Sequence, residues 1–88
     1  MVWQIELTEA ARKQLKKMGH TDAKRIRDYL RERVQPLEDP RQLGKPLQGK
    51  MGELWRYRVG DYRLVAHLED DRVCILIVRI GHRREVYR

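Results

Sequence analysis

The order of apolar and polar residues along the chain predicts a short strand followed by a helix. From Val2 to Leu7 the two kinds of residue alternate, which is the period of a half-buried strand. Helical spacing then runs from Glu9 to Met18, with Thr8 as the N-cap and Gly19 as the C-terminal stop. These signals place one strand and one amphipathic helix in the first part of the chain.

A second amphipathic segment follows after a link made by His20 and Thr21. Its cap is Thr21 or Asp22, and Pro36 ends it. The apolar residues on its shared face are Ala23, Ile26, Leu30 and Val34. Because the link is so short, we predict an antiparallel pair of helices.

Three more strands are predicted beyond a connector rich in proline and glycine, which runs from Leu37 to Gly52. Alternation returns over Leu54 to Val59, Tyr62 to Leu68, and Val73 to Ile80. We therefore predict a single α+β domain over residues 1–88. It has an antiparallel sheet in the element order βααβββ, with the N-terminal helix pair packed on one face.

The first predicted hairpin separates its residues into two faces. If Gly60-Asp61 is a two-residue turn, Arg58 lies opposite Arg63. The apolar face then holds Trp55, Tyr57, Val59, Tyr62, Leu64 and Ala66, and the other holds Arg56, Arg58, Arg63 and His67 with Leu54 and Val65. We call the second set the arginine face, and we expect the helices to cover the first.

The facing arginines are the sharpest functional signal in the hairpin. Directly paired residues have Cβ atoms about 5 Å apart, and like charges at that separation destabilise a sheet unless an anion bridges them. An RNA phosphate suits this place, since the planar fork of arginine binds two phosphate oxygens at once. The structural alternative is that Arg58 and Arg63 extend into water or reach Asp61 or Glu53.

Composition narrows the class of protein. The chain is 41% hydrophobic and 38% charged, with a mean hydropathy of -0.79, which is typical of a small globular domain. Its longest apolar run, Val73 to Val78, is far shorter than the roughly 20 residues of a membrane-spanning helix, and no signal-peptide pattern is present. We therefore expect a cytoplasmic protein without membrane contact.

The lone Cys74 excludes an internal disulfide, and the histidines show no metal-ligand spacing, so we expect no metal and no cofactor.

The charge balance indicates a polyanionic partner. Twenty Lys and Arg against 13 Asp and Glu give a net charge of +7. The stretch 41–50 has three basic residues and no acidic one, and a second basic cluster follows Gly81. Gly81 permits a sharp bend, so the end of the chain can return over the arginine face, where Tyr87 offers a ring for an unstacked base. The structural alternative is that Tyr87 pads the edge of the sheet.

Two segments carry a family resemblance that covers the full chain. Leu54 to Val65, with its Arg-Val-Gly-Asp-Tyr-Arg hairpin, and Ile80 to Tyr87, with Gly-His-Arg-Arg-Glu-Val-Tyr, are similar to the RelE branch of the RelE/ParE toxin superfamily. The resemblance implies a microbial-ribonuclease-like sheet with helices on one face. It also implies an mRNA interferase, a type II toxin that cuts messenger RNA in the ribosomal A site and inhibits translation.

The resemblance further implies a metal-independent reaction in which the ribose 2′-hydroxyl attacks the adjacent phosphorus. In it Arg63 binds the scissile phosphate and Arg83 neutralises or protonates the leaving 5′-oxygen. Tyr87 stacks on a base, and Arg56 holds a flanking phosphate. Arg58 stands where the family often has a lysine, and it joins this set as a fifth catalytic candidate.

Arg58 leaves the proton acceptor open, because a guanidinium group keeps its proton throughout the physiological range. His82 is the candidate general base, since histidine side chains exchange protons near neutrality. The alternatives are His67, on the arginine face, and a reaction without a dedicated base in which the ribosome supplies the geometry.

By the same resemblance, the partners are the ribosome with its mRNA and a cognate RelB-like antitoxin, whose acidic and partly disordered segment wraps the toxin. Operator DNA is bound only through the antitoxin complex. Two other functions stay open: a ParE-like inhibitor of DNA gyrase, and a non-catalytic RNA-binding module that uses the same basic face.

Overall fold

The computed structural model describes residues 2–47 and 54–82. Its elements are β1 (Gln4–Leu7), α1 (Glu9–Lys17), α2 (His20–Tyr29), β2 (Lys45–Pro46), β3 (Leu54–Val59), β4 (Tyr62–Glu69) and β5 (Cys74–His82). A π-helical turn, Leu30–Val34, extends α2, and a 3₁₀ turn, Pro40–Gln42, precedes β2. None of the helices in this part of the chain has the length and apolar character needed to cross a membrane.

Thr8 fixes the start of α1, as the sequence predicts. Its hydroxyl oxygen accepts a hydrogen bond from the Ala11 backbone N–H at 3.2 Å, which satisfies a donor that the first helical turn leaves open. The same hydroxyl donates to the Val78 carbonyl at 2.8 Å. One side chain therefore caps α1 and ties its N-terminus to β5.

The predicted cap of α2 is wrong. The N-cap is Gly19, two or three residues before the expected Thr21 or Asp22, and no side chain caps the helix. His20 and Thr21, the predicted link, are therefore the first two residues of α2. Gly19 causes the difference, because its φ of 90° turns the chain directly from Met18, the C-cap of α1, into the first residue of α2. Asp22 instead lies in the first turn of α2, where its carboxylate accepts a hydrogen bond from the Tyr62 hydroxyl at 3.1 Å.

The five strands lie in the order β1-β5-β4-β3-β2. The predicted α+β class and the meander of β3, β4 and β5 are confirmed, and two details differ. The connector contributes the short edge strand β2, where Pro46 is tolerated since an edge strand leaves one side of its backbone without a sheet partner. The other difference is that β1 pairs with β5 in parallel, so the sheet is not wholly antiparallel.

The core lies between the helices and the face of the sheet that the sequence marks as apolar. Buried side chains from the helical side are Ala11, Leu15, Ala23, Ile26, Leu30 and Val34, and those from the sheet include Tyr57, Leu64, Ala66, Ile75, Ile77 and Ile80. Tyr57 is anchored there because its hydroxyl donates to the Pro40 carbonyl at 2.8 Å. This packing leaves the arginine face on the far side of the sheet.

The hairpin registers determine which residues share that face. The β3–β4 register has the predicted pair of Arg58 with Arg63, and it places Arg56 opposite Val65. Between β4 and β5 the register shifts at Val65/Ala66, so that Val65 lies opposite Arg79 and Ala66 opposite Ile77. This bulge leaves Val78 as an extra residue in β5.

Candidate nucleic-acid interface

The centre of the candidate site is the pair of facing arginines at the tip of the β3–β4 hairpin. Gly60 has a φ of 60° at the first central position of the turn, which is the position that glycine takes in type II′ hairpins. This tight turn fixes the register that places Arg58 opposite Arg63. Arg58 is exposed, and its Nε lies 3.5 Å from the Gly60 carbonyl oxygen, whereas Arg63 is partly buried on the central strand.

Arg56 lies on the same face, two residues along β3, and all three arginines line one cleft of about 180 Å³. Lys45 from β2 lines it as well, together with Tyr29 and Leu43. Lys45 reaches the cleft because β2 places it directly opposite Arg56. The structure therefore brings together three of the five predicted catalytic residues and adds a lysine.

The sequence does not predict Lys45 as a site residue, because the prolines and glycines around it are typical of a connector. The available signal was the acid-free stretch 41–50, in which Lys45 lies. Arg79 was missed for another reason. It shares the arginine face only because the bulge in the β4–β5 pair places it opposite Val65, and nothing in the sequence sets that register.

His82, the predicted general base, lies away from the three arginines. It pairs with Tyr62, and the two rings make an edge-to-face contact at 5.7 Å on the helix side of the sheet. There it lines a separate cleft of about 430 Å³ with Gln14 and Lys17 from α1. His67, opposite Leu54, is the histidine on the arginine face.

Arg83 and Tyr87 lie outside the described residues, so their placement and roles stay predictions. Gly81, two residues before Arg83 in the sequence, lies directly opposite Arg63. The structure describes the chain as far as the next residue, His82.

Charge is distributed unevenly over the sheet. At the β4–β5 turn, Arg72 binds Glu6 at 2.8 Å and Glu69 at 2.7 Å. Nearby, the Arg41 guanidinium holds the pKa of Asp70 below its usual value through a hydrogen bond. Glu6, Glu69 and Asp70 are thus paired with arginines near this turn, while the described charged residues at the hairpin end of the arginine face are mostly cationic.

Cys74, the lone cysteine, is fully buried on β5. Burial raises the pKa of its thiol, which favours the neutral and unreactive form. Thiolate chemistry therefore has no support from the environment of this residue.

The comparisons with known proteins agree with this geometry. Residues 5–87 match the family described as ParE toxin of type II toxin-antitoxin system, parDE. The chain is 34% identical over 50 residues to toxin RelG of Mycobacterium tuberculosis, an alignment that covers 57% of this chain and 58% of that toxin. It is 30% identical over 92 residues to the mRNA interferase toxin RelE of Escherichia coli, which covers 99% of this chain and 92% of the relative.

A solved structure supports the fold independently. The toxin–antitoxin complex RelBE2 of M. tuberculosis contains a chain that superposes with a TM-score of 0.83 at 23% identity, covering 93% of this chain and 99% of that one. The chain thus shares its fold with a component of a toxin–antitoxin complex. The chain belongs to the ParE toxin family, and within the RelE/ParE superfamily it falls in the RelE branch.

Proposed function

We propose that this protein is a ribosome-dependent endoribonuclease that cleaves mRNA in the ribosomal A site and is controlled by a RelB-like antitoxin. The observation that carries the proposal is the cross-strand pair Arg58–Arg63 with Arg56 beside it, on the sheet face opposite the core. A cluster of guanidinium groups suits a bound phosphate, because each planar fork can donate two hydrogen bonds to its oxygens. The E. coli relative, whose name is mRNA interferase toxin RelE, supports the same activity.

The proposed reaction is a transfer within the RNA. The bond from the 2′-oxygen to phosphorus forms, and the bond from phosphorus to the 5′-oxygen breaks. The 2′-hydroxyl loses a proton and the 5′-oxygen gains one, which leaves a 2′,3′-cyclic phosphate and a 5′-hydroxyl end. Arg63 would bind the scissile phosphate and stabilise the charge that builds on its oxygens, and Arg58 would assist from across the hairpin. This chemistry requires no metal ion.

Two further roles rest on residues outside the described part of the chain. Arg83 would neutralise or protonate the leaving 5′-oxygen, and Tyr87 would stack on a base and bend the strand into line for attack. Both roles are proposed because Arg83 and Tyr87 occupy the corresponding positions of the family motif. The approach of β5 to Arg63 at Gly81 is compatible with these roles.

Neither His67 nor His82 suits the role of proton acceptor. His67 shares the arginine face, but it lies four residues along β4 from Arg63, about 13 Å away. His82 lies on the helix side of the sheet, so its imidazole does not face a phosphate bound between Arg58 and Arg63. We therefore favour a reaction driven by orientation and charge stabilisation, with no dedicated base from β5. The expected consequence is slow cleavage of free RNA compared with mRNA on the ribosome.

The proposed partner of the toxin outside the ribosome is its antitoxin. The M. tuberculosis neighbour was solved as a toxin–antitoxin complex, which supports a RelB-like partner for this chain. Operator DNA would be bound only by that complex, through the antitoxin. An acidic antitoxin segment complements a toxin with a net charge of +7.

The test is cleavage of a defined mRNA on purified ribosomes by the wild-type protein and by Arg63→Ala. We expect the variant to lose about 100-fold to 1,000-fold in cleavage rate, the usual effect of removing one group that stabilises a developing oxyanion. Arg12→Ala, which removes an exposed arginine of α1, is the matched control and should retain the wild-type rate. Equal rates for wild type and Arg63→Ala would refute the assignment.

A second candidate is ParE-like inhibition of DNA gyrase, which the description of the matching family favours. That activity has no need for paired arginines on the open sheet face. Broken chromosomes with intact transcripts in cells expressing this chain would select it. A third outcome, in which Arg63→Ala weakens ribosome binding and cleavage by the same factor, would favour a non-catalytic RNA-binding module.

A further inference from the structure

The cations of the arginine face lie in two rows that run across the strands. Register places Arg58, Arg63 and Gly81 side by side in the first row, next to the hairpin tip. The second row crosses four strands and contains Lys45, Arg56, Val65 and Arg79. The two rows hold five cationic side chains and no acidic one.

The next rows of the same face differ in character. They contain Leu54, His67, Leu76 and Glu6, followed by Glu69, Cys74 and Gln4. Glu6 and Glu69 are both bound by Arg72. Among the described residues of this face, the cationic side chains are thus concentrated in the two rows beside the hairpin tip.

Arg79 occupies a specific place in this arrangement. It mirrors Arg56 across the central strand, because Val65 lies opposite both of them. Arg56 and Arg79 are also each diagonal to Arg63, whose direct partners are Arg58 and Gly81. Diagonal neighbours on paired strands are about 7–8 Å apart, and residues two strands apart are about 10 Å apart.

These separations describe a triangle with Arg63 at its apex and Arg56 and Arg79 at its base. Val65, only 7% exposed, forms an apolar floor between the two base positions. The Arg79 side chain is exposed, so a phosphate can reach it from solvent. A bent backbone can place three successive phosphates over the corners of this triangle.

We propose that Arg79 is a substrate-positioning residue that binds a phosphate flanking the cleavage site, on the side opposite to the one that Arg56 binds. The RNA backbone then crosses the sheet with its scissile phosphate at Arg63 and bends over Val65. This role rests on the proposed function and adds to it a residue that the family motif did not supply.

The first test compares Arg79→Ala, Arg79→Lys and Arg72→Ala in cleavage of mRNA on programmed ribosomes. Arg72 is the matched control, since it belongs to the same side of the sheet and is already engaged by two carboxylates. We expect Arg79→Ala to lower kcat/KM about 10-fold to 100-fold, the effect of losing one charge-assisted contact. Lysine should restore most of this loss, and Arg72→Ala should match wild type.

Salt dependence gives a readout that a structural role would not change. Loss of one phosphate contact should reduce the slope of log affinity against log salt by about 0.7 for single-stranded RNA. An unchanged slope, or the same decrease in Arg72→Ala, would overturn the proposal in favour of a simple effect of net charge. Thermal unfolding of each variant verifies that the fold is intact.

A third test of the role of Arg79 changes the RNA, by replacing one flanking phosphate at a time with an uncharged methylphosphonate. For the wild-type protein, both replacements should slow cleavage. In Arg79→Ala, one of the two replacements should have no further effect on the cleavage rate. In Arg56→Ala, the other replacement should have no further effect, since the effects of coupled groups are not additive. Full additivity at both positions would overturn the role of Arg79. If the wild-type protein itself fails to cleave on ribosomes, the proposed function fails and this role fails with it.

Discussion

Single residues supply the chemistry of the sheet face, and their positions follow from register rather than from proximity in sequence. Arg58 and Arg63 share one face because Gly60-Asp61 closes a two-residue turn, and that turn is visible in the sequence. The positions of Arg79 and His82 depend on the β4–β5 pairing instead. That pairing contains a bulge, so its register is not readable from alternation alone.

The position of His82 on the helix side of the sheet also follows from the β4–β5 register. Its motif neighbours in sequence, Gly81 and Arg83, suggest a common site, yet successive residues of a strand point to opposite faces. Gly81 lies opposite Arg63, and His82 therefore turns to the helix side with Tyr62. A motif in a strand can thus distribute its residues over two surfaces.

Tyr57 allows a prediction at the residue scale. Its side chain is 1% exposed, and its hydroxyl binds the Pro40 carbonyl. Tyr57→Phe should lower the free energy of unfolding by about 1–2 kcal/mol, because the buried carbonyl loses its partner. Urea denaturation at pH 7 measures the change. An equally stable variant would mean that water replaces the hydroxyl.

The same residue should respond to alkaline pH. Burial raises the pKa of Tyr57 well above its usual value, so the folded state retains a proton that the unfolded state loses from about pH 10 upward. The stability contributed by Tyr57 is complete below pH 10 and decreases as the pH rises further. Stability curves of wild type and Tyr57→Phe should therefore converge above pH 10, and parallel curves would contradict this.

At the scale of secondary-structure elements, the N-terminus of α1 is fixed by the side chain of Thr8. Thr8 caps the helix through the Ala11 N–H and donates to Val78 at the bulge in β5. Thr8→Ala should destabilise the protein by about 1–2 kcal/mol, as cap removal usually does. Thr8→Ser keeps the hydroxyl and should retain most of that stability. Equal losses in the two variants would assign the effect to the methyl group instead.

The predictable elements are those with strong local signals. Both helices follow from apolar spacing, and β3 and β4 follow from alternation on either side of a short turn. The direction of β1 could not be predicted, because no short turn links it to β5, its partner. The strand β2 has only two residues and carries no periodic signal of its own.

At the scale of the whole molecule, the hydrophobic core and the clustered cations lie on opposite faces of the sheet. The helices cover one face of the sheet and build the core, while the opposite face carries the clustered cations. The sequence predicts this division, because the two faces of the hairpin differ so strongly in polarity. The breadth of the cationic surface follows only from strand order, since β2 and β5 bring Lys45 and Arg79 to it from distant parts of the chain.

The most direct measurement is the position of new RNA ends after incubation of the purified protein with ribosomes that carry a defined mRNA. Primer extension should detect 5′-hydroxyl ends inside the A-site codon with the wild-type protein, and few or none with Arg63→Ala. Intact mRNA, or ends spread along the message without relation to the ribosome, would contradict the assignment of the arginine face as the site of A-site cleavage.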